Sequence, residues 1–233
     1  MSRILLTIPC MRYFKGPVEL IESVKTKHDW RPYIVDNWRE NKGVSRAWNM
    51  GIEKAKAEGY DYTLICNDDI LLAPSTIDAL VDLFDRSDDS VQMVTAHNIR
   101  FELDDPYKIL SLPDRTEGEP SEGPDFACFM VKSDFIDKCG PFDWNFWPGY
   151  FEDNDMHYRM KLLGYKALVT PRAPYFHFGS VTQNLDPSNV ACPPEQFEKN
   201  RAYFVEKWGG VPGHEAFTSP YNDPAFDIKG FKK

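Results

Sequence analysis

Apolar and polar residues alternate along the first hundred positions in blocks that predict a strand–helix–strand order. Ile4 to Ile8 is a short apolar run closed by Pro9, the pattern of a buried strand. After a loop from Cys10 to Gly16, Pro17 stands at the favoured first turn of a helix predicted over 18–27. A second strand is predicted over 33–35, ending at Asp36-Asn37. A helix over 44–59 follows, because Val44, Ala47, Trp48, Ile52 and Ala55 recur at helical spacing. Thr63 to Cys66 is β-branched and apolar and reads as a third buried strand. Another helix is predicted over 75–85 from Ile77, Leu80, Val81 and Phe84, and another strand over 91–96. This order predicts an α/β fold with a mostly parallel central sheet flanked by helices.

The second half is less regular. Residues 100–124 are acidic and rich in Pro and Gly, and a loop of that length predicts a functional or mobile flap. Strands are expected over 125–132 and 167–170, and helices over 133–138, 152–163 and 194–208. With no internal repeat and no dividing linker, the 233 residues are expected to form a single domain, with a C-terminal helix and tail over 183–233.

Composition narrows the partners. A formal net charge of −9 argues against a nucleic-acid polymer or an anionic membrane as the main partner. The five cysteines form no C-x-x-C pair and suit a reducing compartment. No stretch reaches the length of a membrane span, and the early Pro9 argues against a signal segment, so a cytoplasmic protein is expected.

Candidate chemistry collects at four places. Asn67-Asp68-Asp69 directly follows the third strand, and ligands of open α/β sheets bind at carboxyl ends of strands. Adjacent carboxylates repel, and a hard divalent cation offsets the cost; a surface turn with a helix cap accounts for the same residues. Glu152-Asp153-Asn154-Asp155 opens a helix, where acids are stabilised by free N–H groups and the dipole. Three acids exceed what capping needs, and the aromatic cluster Trp144, Phe146, Trp147 and Tyr150 precedes them. Asp155 has Arg159 four residues on, a spacing that makes it structural; Asp153 is left as the candidate general base, with Glu152 as its competitor. His177 lies between Phe176 and Phe178, a setting that suits a core histidine as well as a ligand.

Taken in chain order, Ile4–Pro9, Val35-Asp36-Asn37, Gly43 to Gly51, Asn67-Asp68-Asp69, Phe151 to Asp155, Arg159, Gly164-Tyr165 and His177 resemble the inverting family 2 glycosyltransferases of the GT-A fold. The resemblance implies a nucleoside-diphosphate sugar donor, a saccharide or other hydroxyl acceptor, and Mn²⁺ or Mg²⁺. It implies that Asp36 accepts from the imide N–H of the base, that Pro9 and Tyr13 flank the nucleotide, and that Asn49 lies near the donor. Asp68 would hold ribose or metal, Asp69 and His177 the metal, and Asp153 would deprotonate the acceptor. The chain departs from the family's Asp-x-Asp pattern at Asn67, whose amide hydrogen-bonds ribose but adds no charge. Other readings are a nucleotidyltransferase or pyrophosphohydrolase, and a non-catalytic sugar-binding module. The loop Cys10-Met11-Arg12-Tyr13 lacks the Gly-rich basic character that a nucleotidyltransferase favours.

Overall fold

A computed structural model describes residues 1–11, 15–179 and 192–232. Its strands are β1 (Arg3–Cys10), β2 (Asp29–Asp36), β3 (Tyr62–Cys66), β4 (Ile70–Leu72), β5 (Val91–Asn98), β6 (Ser121–Glu122), β7 (Cys128–Lys132) and β8 (Lys166–His177). The helices are α1 (Lys15–Ser23), α2 (Val44–Ala57), α3 (Thr76–Arg86), α4 (Phe135–Cys139), α5 (Glu152–Leu162) and α6 (Pro194–Trp208).

The strands form one sheet in the order β2-β1-β3-β7-β5-β8-β4, with β6 also on β8. β1 pairs in parallel with β2 and β3, and β5 with β8. β7 runs antiparallel between β3 and β5, so the sheet is mixed. The reason lies in the connections: a parallel return needs a crossover, usually a helix, and residues 99–127 between β5 and β7 contain only 3₁₀ turns and the two-residue β6. The carboxyl ends of β1, β3, β5 and β8 therefore share one edge.

Alternate side chains leave the two faces of the sheet. Ile4, Leu6, Ile8, Leu64, Cys66 and Val94 pack with Leu20 of α1 and Ile77, Leu80, Val81 and Phe84 of α3. Ile65, Met93, Phe129 and Val131 face the other way, onto Trp48 and Ile52 of α2, Phe135 of α4, and Met156 and Met160 of α5. Helix α2 approaches β1 so closely that a Cβ on Gly51 would lie 2.3 Å from Thr7 Oγ1.

Three parts differ from the sequence expectation. β8 is far longer than 167–170, running on through Pro171 and Pro174 to His177. Its pairing with β5 shifts register between Ala96 and His97, and prolines are tolerated at such irregularities. β2 begins at Asp29 and carries Pro32 because it is the edge strand. Residues 100–124 hold 3₁₀ turns at Arg100–Glu102 and Pro106–Ser111 and the strand β6. Ile109 is fully buried against Leu71, Ala73, Ile99 and Phe176, and Arg172 Nε donates to the Thr116 carbonyl at 2.8 Å.

Candidate functional site

A cleft of about 430 Å³ opens at the shared carboxyl edge of the sheet. Pro9 reaches it from the end of β1, Asn67, Asp68 and Asp69 from the turn after β3, and His177 from the end of β8. Glu152 and Asp153 reach it from the first turn of α5. Five of its lining residues are acidic, the fifth being Asp125, and among the described residues neither Lys nor Arg lines it.

The Asn67-Asp68-Asp69 turn is held by backbone bonds at both ends. Asn67 N–H donates to the Ala127 carbonyl at 2.9 Å, and Phe178 N–H to the Asp69 carbonyl at 3.0 Å. The antiparallel pairing of β4 with β8 sets Ile70 opposite His177, which brings His177 Nε2 to 3.0 Å from Asp69 Oδ1. Asp68 is buried, its Oδ2 has no hydrogen-bond partner among the described residues, and burial, then the neighbouring Asp69 charge, push its carboxyl up to about 7.

These side chains fit a divalent cation. The Asp69–His177 spacing matches adjacent ligands of an octahedral ion with bonds of about 2.1 Å, and the unpartnered Asp68 oxygen is a buried acceptor. Among the described residues no three His, Cys, Asp or Glu side chains converge as a full ligand set. That accords with ions held by one or two protein groups and completed by substrate phosphates and water.

Helix α5 starts from a special backbone. Tyr150 (φ 74°) and Phe151 (φ 76°) are both left-handed, a conformation that costs a non-glycine residue about 1–3 kcal/mol and gathers at functional sites. Glu152 is buried and its Oε2 has no hydrogen-bond partner among the described residues. Burial, then the Asp153 charge, raise its carboxyl well above the usual carboxylate range. Burial also raises Asp153, whose Oδ1 accepts from Asn154 N–H at 2.8 Å. Asp155 faces away into a fully buried set of charges. Arg159 Nε donates to its Oδ2 at 2.8 Å, the pair its spacing predicts, and Lys207 Nζ reaches its Oδ1 at 2.7 Å and Asp143 Oδ2 at 2.9 Å.

Two further sequence candidates fall outside this constellation. The Asn49 amide is spent on the backbone of Phe142, donating to its carbonyl and accepting from its N–H at 2.8 Å each, so it anchors a loop and does not line the cleft. Asp36 stands exposed at the end of β2, accepting from Trp38 N–H at 2.8 Å, while its neighbour Asn37 lines the cleft. Tyr13 lies outside the described residues. None of residues 100–124 lines the cleft.

Sequence reading missed Trp48 and Phe126, whose rings stack at 6.3 Å in the cleft wall. Trp48 belongs to the apolar stripe of α2, and helical spacing alone gives it no role in a cleft. It missed Asp125 as well, which Tyr175 OH and Ala127 N–H bind at 2.6 and 2.9 Å. It gave no sign of Lys207.

Comparison with known proteins accords with this architecture. No curated protein matches the chain. Among solved structures it is similar to "GalNAc-T7 with UDP, GalNAc and Mn2+", at 14% identity and a TM-score of 0.60, over 89% of this chain and 49% of that one. It is also similar to the catalytic domain of Drosophila beta1,4galactosyltransferase 7 in complex with xylobiose, at 12% identity and a TM-score of 0.54, over 86% of this chain and 80% of that one. Both are likenesses of fold, and the chain spans about half the length of the GalNAc-T7 chain. Residues 15–139, more than half of the sequence, match the family Glycosyl transferase family 2. With its mixed α/β sheet, its cleft at the strand ends and this match, the chain belongs to glycosyl transferase family 2 and has the GT-A fold.

Proposed function

We propose that the chain is a metal-dependent inverting glycosyltransferase. It moves a hexosyl or deoxyhexosyl group from a nucleoside-diphosphate sugar to a hydroxyl of a glycan or of a lipid- or protein-linked saccharide. The observation that carries the reading is the union, in one cleft, of the Asp68-Asp69-His177 set with Glu152 and Asp153. The GalNAc-T7 structure holds UDP and Mn²⁺, which supports a nucleotide and a divalent ion here.

Asp69 and His177 would hold Mn²⁺ or Mg²⁺, with Asp68 beside them. When bound, the ion supplies positive charge to the diphosphate as the sugar–phosphate bond breaks. Pro9 and Tyr13 flank the nucleotide, Asp36 accepts from its base, and Asn67 hydrogen-bonds the ribose. Asp153 takes the proton of the acceptor hydroxyl as that oxygen attacks the anomeric carbon, and its burial raises its proton affinity toward what a base at neutral pH needs. Glu152 contacts acceptor hydroxyls. A single displacement with no protein nucleophile inverts the configuration.

The test combines binding and turnover. UDP, dTDP and GDP are screened by thermal shift with and without Mn²⁺, and release of nucleoside diphosphate from the matching sugar donors is measured. Asp69→Ala abolishes the Mn²⁺-dependent shift while the fold persists. Asp153→Asn lowers turnover about 10²–10⁴-fold at unchanged nucleotide affinity. Equal nucleotide binding in chelator overturns the metal site. Near-normal turnover of Asp153→Asn overturns the base assignment.

A further inference from the structure

Helix α6 grips the chain on both sides of Asp153. On the preceding side, the buried Asn200 donates from Nδ2 to the carbonyls of Trp147 and Gly149 at 3.1 and 2.8 Å. Gln196 Nε2 donates to Asn200 Oδ1 at 3.0 Å and so decides which end of that amide faces the loop. The rings of Phe197 and Phe204 lie 5.1 and 5.9 Å from that of Phe151. On the following side, Lys207 Nζ and Trp208 Nε1 reach Asp155 Oδ1 at 2.7 and 2.9 Å. Residues 200, 204, 207 and 208 share one helical stripe, so a single rigid element sets both grips. Between them lie Tyr150 and Phe151, a left-handed pair of the kind that persists only where its surroundings over-determine it.

We propose that α6 is the positioning element for Asp153, with Asn200 as the positioning residue that fixes the 147–151 turn and thereby presents the Asp153 carboxylate to the cleft. The inference rests on the glycosyl-transfer reading above. Every grip lies outside residues 15–139, so it is not part of the stretch that matches the family.

The experiment uses the full chain, Mn²⁺, and a panel of UDP-, dTDP- and GDP-sugars with water as acceptor, reading release of nucleoside diphosphate. Asn200→Ala is compared with Arg201→Ala, the neighbouring exposed residue of α6. Asn200→Ala lowers kcat about 10- to 100-fold, the scale of a small misplacement of a catalytic group, while the nucleoside-diphosphate Kd moves by less than about threefold, because the residues argued to hold the nucleotide are elsewhere. Arg201→Ala behaves as the native chain. Gln196→Glu, which removes the donor orienting the Asn200 amide, shows a smaller loss in the same direction and serves if Asn200→Ala does not fold. Unchanged kcat in the folded variant overturns the inference, and so does a parallel loss of turnover and nucleotide affinity, which marks general loosening of the cleft. If the native chain neither binds a nucleoside diphosphate nor releases one, the glycosyl-transfer reading fails, and this inference with it.

Discussion

Replacing Lys207 with Met separates the two carboxylates it joins and leaves Asp143 without its cation. Lys207, Asp143, Asp155 and Arg159 are all fully buried, two acids against two bases. Asp155 keeps Arg159 and the Trp208 N–H. Among the described residues Asp143 keeps only neutral donors, Tyr203 OH and Asn145 N–H, each at 2.9 Å. Removing one member of a buried ion pair costs about 3–5 kcal/mol. Protonation sets a ceiling, because Asp143 can always shed its charge. At pH 7 that costs about 4 kcal/mol, or about 1.4 kcal/mol for each of the roughly three pH units above the ordinary aspartate pKa. Burial already raises the Asp143 carboxyl, with the Lys207 charge pulling the other way, so the variant raises it further. An acid whose folded pKa is raised destabilises above that value, and the penalty fades as pH falls toward the unfolded value near 4. Lys207→Met therefore loses about 3–4 kcal/mol relative to the native chain at pH 7 and no more than about 1.5 kcal/mol at pH 5, roughly one pH unit above the ordinary value. Urea unfolding at both pH values measures it, and Asp143→Asn in the Lys207→Met background recovers part of the loss. A penalty under about 1 kcal/mol at pH 7, or one that does not shrink on acidification, would refute the burial argument.

Two further outcomes follow from single contacts. Glu152 is buried with an unpartnered oxygen and a raised carboxyl, so native stability falls as pH rises from about 4.3 through the raised folded value; Glu152→Gln flattens that slope and is at least as stable as the native chain at neutral pH, read from melting temperature against pH. Gly51→Ala drives a Cβ to within 2.5 Å of Thr7 Cγ2 and costs about 1–3 kcal/mol as overpacking, whereas an unchanged melting temperature would show that α2 and β1 separate freely.

What was legible in the sequence followed from local periodicity. The stripes of α2 and α3 and the apolar runs of β1 and β3 sit where the pattern placed them, because a helix that buries one face and a strand buried on both are each encoded in local spacing. The Asp155–Arg159 pair was legible for the same reason, since four residues on a helix is one contact. The misses all depend on partners distant in sequence. Asn49 binds Phe142, 93 residues away, and no neighbour in the chain signals it. Lys207 looks like an outward lysine of an amphipathic helix until Asp143 and Asp155 are brought to it from two other segments. The apolar run over 167–170 shows only the start of β8, and the irregular register that tolerates Pro171 and Pro174 beyond it is a property of the pairing with β5.

The charge of the cleft argues for the ion more strongly than any one ligand does. Asp68, Asp69, Asp125, Glu152 and Asp153 line it with His177, and among the described residues no Lys or Arg offsets them. A nucleoside diphosphate is itself anionic, and like charges at close range in a medium of low dielectric repel strongly. Two arrangements would let such a ligand in: the carboxyls take up protons, or a cation enters with the ligand. Burial moves Asp68, Glu152 and Asp153 toward the protonated form, which lowers the negative charge, but a site of neutral acids has no positive charge to give the leaving diphosphate. Asn67, where the family's pattern places an acid, points the same way. An amide there spares the cleft one more negative charge and, on the proposed reading, would keep a hydrogen-bonding group for ribose. On the proposed reading Asp69 and His177, 3.0 Å apart, would be the nucleus of a cation site that the ligand's own phosphates complete. On this argument nucleotide and metal bind as a unit, each weakly alone, and thermal shifts with Mn²⁺ and nucleoside diphosphate together exceed the sum of the two taken separately.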